Sequence, residues 1–215
     1  MKSIVTILNY IDIGAPLIAL LFFIKPFKRL SKELLYIFVF VCVQFGTNLL
    51  ATMLEQLRIP NYTLYAVNII LSFIILSFLF YRVIDTMHKF IAGAAILFTI
   101  IAISSVANGD GIDTYNSVLA AVASFLITCY CLIFFYKKLV SNNTRSGLTE
   151  SSLFWIIIGV FTYYTGSFFI FISYKYLMVQ EANVIGILWR FHNVLLAIFC
   201  IYTIYGLACK NYQKI

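Results

Sequence analysis

Seven apolar stretches set the limits of what this chain can become. They lie at about 4–24, 34–54, 62–81, 90–106, 115–136, 153–174 and 184–207, with short loops between them. A helix rises about 1.5 Å per residue, so about 20 apolar residues cross the hydrocarbon core of a bilayer, and each stretch is near that length. No water reaches that core to satisfy backbone groups, so spanning segments are helices or strands of a closed barrel, and unbroken apolar runs specify helices. Hydrophobic residues make up 63% of the chain and charged residues 11%, where soluble domains hold about 45–50% and about 25%. The expectation is an all-α integral membrane protein: one seven-helix domain over 1–215, with no soluble domain and the lipid bilayer as its surroundings. The start, Met1-Lys2-Ser3 ahead of an apolar run, is like that of a signal peptide. Asn9 and Asp12 interrupt its core and no small-residue cleavage site precedes Lys25, so it reads as a retained first span.

Charge placement gives an orientation. One set of loops holds Lys25, Lys28, Arg29, Lys32, Arg82, Lys89, Lys137, Lys138, Arg145, Lys210 and Lys214; the opposite set holds only Lys2, Arg58 and Lys175. Basic loops stay on the cytoplasmic side, which puts the N-terminus outside and the C-terminus inside. The net charge of +7 is thereby spent on topology. It is too dispersed for a nucleic-acid surface, and no nucleic-acid partner is expected.

Against this apolar background, Leu188-Trp189-Arg190-Phe191-His192-Asn193-Val194-Leu195 stands out, because it sets an arginine, a histidine and an asparagine inside the last span. Ionisable groups at membrane depth are costly and usually face a bundle interior or a wet cavity with a partner. The other charge well inside a span is Asp12, one turn before Pro16 on the first. If first and last helices touch, Asp12 and Arg190 can pair. Asn9 and Asp12 share a face of span one, and Gln44 and Asn48 share one of span two. With the orientation above, Asp12 lies roughly 12 Å below the outer end of its span, and Asn48, Asn68, Arg190, His192 and Asn193 fall at comparable depths. Tyr163 to Ser167 start at mid-membrane and head outward, while the inner runs 17–24, 34–43, 73–80 and 194–199 hold almost nothing polar but Ser77. A cavity open outside and sealed inside fits this distribution. Its expected lining is Asn9, Asp12, Asn48, Asn68, Tyr164, Trp189, Arg190, His192 and Asn193. The bland alternative is that amides and hydroxyls simply join helices, at about 0.6 kcal/mol each.

Other chemistry is poorly supplied. Cys129 and Cys131 point about 200° apart on a helix and make a poor metal pair, and no cysteine sits in an outward loop to build a disulfide framework. His88 belongs to an inner loop and His192 to the outer half, so they share no metal or haem iron. The acidic turn Asn108-Gly109-Asp110-Gly111-Ile112-Asp113 lacks the spacing of a calcium loop. No catalytic motif, cofactor or metal site is read from the chain, although Asp12 and His192 stay open as an acid–base pair acting on a lipid. On span four, Gly93-Ala94-Ala95 is expected to allow close helix approach.

Two segments resemble a known family. Glu150-Ser151-Ser152-Leu153-Phe154-Trp155-Ile156, running on to Tyr163-Tyr164-Thr165-Gly166-Ser167-Phe168-Phe169, and Leu188 to Leu195 are similar to the last two helices of the seven-transmembrane sensory modules of bacterial two-component histidine kinases and their stand-alone relatives. The resemblance covers roughly the last third of the chain. It implies a sensor in the bacterial inner membrane, and with no kinase or dimerisation helix after Leu207 its output would pass to another protein through the inner basic loops or tail. The expected ligand is a small polar or anionic molecule, or a lipid, from the outer side. A lipid-acting enzyme, a small transporter and a non-catalytic subunit of a membrane complex are the alternatives.

Overall fold

Each apolar run becomes one helix. The computed structural model describes residues 2–108, 114–141, 151–180 and 182–209, with side chains for all of these except 2–9, 141, 175, 178–180 and 182–185. The helices are α1 (Lys2–Ile24), α2 (Lys32–Gln56), α3 (Tyr62–Val83), α4 (His88–Ala107), α5 (Ser117–Ser141), α6 (Ser152–Gln180) and α7 (Ala182–Ala208). Two short 3-10 turns, Phe27–Arg29 and Asp85–Met87, complete the regular structure among the described residues. Six helices, α2 to α7, are long and apolar enough to cross a membrane, and α1 adds a shorter apolar stretch, Tyr10–Ile24. The protein is therefore a multi-pass, all-α membrane protein.

Helix ends follow local sequence. Ser31 caps α2 by accepting from the Leu34 N–H at 3.4 Å, one of the donors left without an intrahelical partner at any helix start. At the other end, Arg58 takes a left-handed φ of 59°. The Ile59 N–H reaches the Leu54 carbonyl at 2.9 Å and the Arg58 N–H the Glu55 carbonyl at 3.0 Å, the paired bonds of a Schellman stop. Glycine usually fills this position; here an arginine does, at a cost of about 1–2 kcal/mol. Pro60 follows and prevents the helix from resuming.

The packing differs from a simple sequential ring. Helices α1, α2, α3, α5, α6 and α7 contact one another in that order, and α7 returns to α1 to close the ring. Helix α4 stands outside and packs chiefly on α3. Only 17% of its spanning window is buried, against 39% or more for the other five spans. Ile96, Leu97, Ile100, Ile101 and Ile103 are exposed on it, as a helix turned to lipid requires.

Close approach also occurs elsewhere than expected. A Cβ on Gly93 would meet nothing within 4 Å, so Gly93 is not a point of close helix approach, although Ala95 of the same patch packs against the core. The tight seam is α6 against α7. A Cβ on Gly206 would lie 2.7 Å from the Ser152 carbonyl oxygen, and one on Gly159 would lie 2.8 Å from Tyr202 Cβ and 3.2 Å from the Phe199 carbonyl oxygen. Backbone is the obstacle at both places, so only glycine lets these helices touch, and the seam fixes α7 relative to α6.

The half of the bundle holding the α1–α2, α3–α4 and α5–α6 connections is solid. Phe23, Ile37, Phe40, Leu76, Leu79, Phe80, Phe134, Ile156, Ile157 and Phe199 are all at most 2% exposed. Phe40 meets Phe199 edge-on at 5.4 Å between ring centres. At the rim of this half, Arg82 Nε bonds Glu33 Oε1 at 3.1 Å.

Candidate functional site

The site is assembled from the opposite half, beginning just above the Phe40–Phe199 contact. Tyr163 of α6 lies over Phe199, with ring centres 6.2 Å apart, and Tyr164 lies against Phe40 at 6.3 Å. Above them is a chamber of about 50 Å³ among α2, α3, α5, α6 and α7, room for a few waters and too small for a solute. On one wall Gln44 Nε2 donates to Ser72 Oγ at 2.8 Å and to Asn68 Oδ1 at 3.4 Å, and Ser72 Oγ donates to Asn68 Oδ1 at 3.2 Å. On the other, His192 Nε2 meets the Tyr163 hydroxyl at 3.2 Å and Nδ1 meets Ser167 Oγ at 3.1 Å. The spacing of Tyr163 and Ser167, four residues apart on α6, puts both hydroxyls on the face that the α6–α7 seam holds against His192. Ser167 is buried and does not line the chamber. Its hydroxyl therefore orients the imidazole, and a nucleophile there would have no substrate to reach.

Three aromatic side chains close the chamber. Trp189 packs against Tyr65 at 5.1 Å and against Tyr115 at 5.8 Å, and Tyr65 meets Tyr115 at 6.2 Å. Trp189 also touches the His192 ring at 5.5 Å. All three near-perpendicular contacts match the electrostatic preference of aromatic pairs for edge-to-face packing.

Beyond this plug lies a recess of about 570 Å³, lined by Tyr10, Asp12, Thr52, Glu55, Gln56, Tyr65, Gly186, Trp189, Arg190 and Asn193. It adjoins a groove of about 490 Å³ that includes Glu55, Arg58, Asn61, Tyr62 and Tyr174. A volume of that order falls in the range of small-molecule sites, about 300–1,000 Å³. Asp12 is only 7% exposed, and its Oδ1 is buried without a hydrogen-bond partner among the described residues. Among the described residues the ion pairs are Arg82–Glu33 and His88–Asp85. Asp12 and Arg190 thus share the recess without the direct bridge anticipated between them.

The expected single pocket is resolved into two spaces. Asn68, Tyr164 and His192 line the chamber, Asp12 and Arg190 line the recess, and Trp189 and Asn193 line both. Asn48 lines the chamber, but its amide is committed: Nδ2 donates to the backbone carbonyl of Asp12 at 3.0 Å. That carbonyl is the one left without a helical donor by Pro16, four residues on. The Asn9 side chain lies outside the described residues. Asp12 and His192 sit on opposite sides of the aromatic plug, so they do not form an acid–base pair around one substrate. Glu55, Tyr65 and Tyr115 were not among the expected lining. Tyr65 precedes Asn68 by three residues and shares its face, a signal that would have found it; Glu55 stands at the end of its apolar run, three residues before Arg58, and carries no such signal. No protein-family model, curated protein or solved structure matches the chain.

Proposed function

We propose that this chain is a seven-helix membrane sensor that takes a small ligand into the recess from outside the cell and signals to a cytoplasmic partner. The observation that carries the reading is the division of the bundle: a charged recess of about 570 Å³ at one end and, at the other, apolar packing with no polar path among the described residues. Such a shape suits holding a solute more than passing it through. The recess is bounded by α1 (Asp12), α2 (Glu55) and α7 (Arg190), so a ligand there draws on three helices at once. A shift of α7 relative to α1, with α6 following through the glycine seam, would carry the signal to the basic inner loops. The resemblance to sensory modules of histidine kinases, borne by α6 and α7, agrees with this output and with the bacterial inner membrane as the site.

Two measurements test the reading. Thermal unfolding of the purified protein across a panel of small organic acids, amines and lipids should find at least one compound that stabilises wild type and loses its effect in Arg190→Gln. A panel without any stabilising compound would instead favour a structural subunit of a larger complex. The orientation is tested separately. A fluorescent protein fused after Ile215 should glow and alkaline phosphatase fused there should be inactive; the reverse pattern would turn the recess to the cytoplasm and end the external-sensor reading.

A further inference from the structure

We infer that the ligand of the recess is a zwitterion, with an ammonium group held by Asp12 and Glu55 and an anionic group held by Arg190. The inference rests on the recess being a binding site, as proposed above, and adds its chemical class. Two carboxylates and one guanidinium line the same space. A purely anionic ligand would meet Arg190 but bring its charge beside both carboxylates, and like charges at such range are unfavourable. A purely cationic ligand would satisfy the carboxylates and face the guanidinium. A molecule with both charges complements the signs of all three groups in the lining.

Asp12 supplies the independent sign that something belongs there. It is more than nine-tenths buried, it lines the recess, and its Oδ1 has no hydrogen-bond partner among the described residues. Buried carboxylate oxygens are ordinarily paired, because desolvation without a partner is costly. That oxygen is closed off as the side chain stands, and an ammonium donor in the recess would provide the missing bond once the carboxylate turned toward it. The walls suit the same group: Tyr10, Tyr65 and Trp189 line the recess beside the carboxylates, and aromatic faces attract ammonium and quaternary ammonium groups. Free amino-acid-like or betaine-like solutes carry this chemistry, and so do phosphoethanolamine and phosphocholine lipid headgroups.

The test uses the full chain purified in an uncharged detergent, with affinity read from the shift of the unfolding temperature. The probes are glycine betaine, γ-aminobutyrate and glycerophosphoethanolamine, against the single-charge compounds tetramethylammonium and acetate. A separate arm adds phosphatidylethanolamine or phosphatidylglycerol to the micelles. A zwitterion should stabilise saturably where neither single-charge compound does. Asp12→Asn and Arg190→Gln should each weaken that effect about thirtyfold, the consequence of removing one member of a desolvated charge pair. Glu55 is exposed, so Glu55→Gln keeps the fold even if Asp12→Asn does not, and it should weaken binding about threefold. Stabilisation by phosphatidylethanolamine but not phosphatidylglycerol, with no effect of the soluble probes, supports the same chemistry with a lipid as its source. Acetate or tetramethylammonium acting as well as the zwitterions would overturn the zwitterion while leaving a ligand-binding recess in place. Silence of every probe and lipid would overturn both.

Discussion

Replacing Trp189 with alanine is expected to destabilise the protein by about 3 kcal/mol and to join the recess to the chamber. Removal of a buried aromatic side chain costs about 3–5 kcal/mol, and Trp189 is partly exposed, which sets the lower figure. The loss is concentrated in its contacts with Tyr65, Tyr115 and His192 at 5.1, 5.8 and 5.5 Å. Tyr65 and Tyr115 lie 6.2 Å apart, and neither fills the space the indole occupies. The structural consequence is read with a cysteine at Ser124, which lines the chamber and is 1% exposed. In Ser124→Cys alone, a small charged thiol reagent should leave position 124 unmodified, as mapped by peptide mass. In Ser124→Cys with Trp189→Ala it should react, and with Trp189→Phe it should stay protected because a ring still fills the plug. Protection that survives Trp189→Ala would mean that the chamber is sealed by something other than these aromatics.

The plug also explains why the site was only half legible in the residues. Charges and amides in an apolar span stand out singly, so Asp12, Asn68, Arg190 and His192 need no packing knowledge to be noticed. Their division into two spaces depends on Tyr65, Tyr115 and Trp189, and aromatic residues are abundant along the whole chain, so nothing in the pattern marks three of them as a partition. The place of helix α4 outside the ring is hidden in the residues for a related reason. In a membrane both the lipid-facing and the core-facing sides of a helix are apolar, so periodicity does not tell a ring member from an outlier. In Gly93-Ala94-Ala95 the glycine faces open space and only Ala95 packs against the core. The glycines that do bring helices together, Gly159 and Gly206, are separated in sequence and act only because the α6–α7 register puts each opposite backbone. Glu55 stands at the end of its apolar run beside Arg58, where a loop charge is ordinary in the sequence, yet it lines both the recess and the adjoining groove.

Asn48 was weighed as helix glue or as ligand contact, and its geometry gives it a third task with a testable signature. Its Nδ2 reaches the Asp12 carbonyl at 3.0 Å, the acceptor that Pro16 leaves without an N–H. An ordinary interhelical hydrogen bond in a membrane contributes about 0.6 kcal/mol. Orphaning a buried carbonyl is a larger loss, about 1–3 kcal/mol, because neither water nor lipid replaces the donor. Asn48→Leu should therefore destabilise by more than glue alone would predict, measured as reversible unfolding in mixed micelles. Pro16→Ala restores a backbone N–H beneath the same carbonyl, so in that background Asn48→Leu should cost at least about 1 kcal/mol less. Strict additivity of the two changes would show that the carbonyl does not depend on Asn48. A positive coupling would identify the joint that holds α1 to α2 beside Asp12, and so the hinge about which one carboxylate wall of the recess is set.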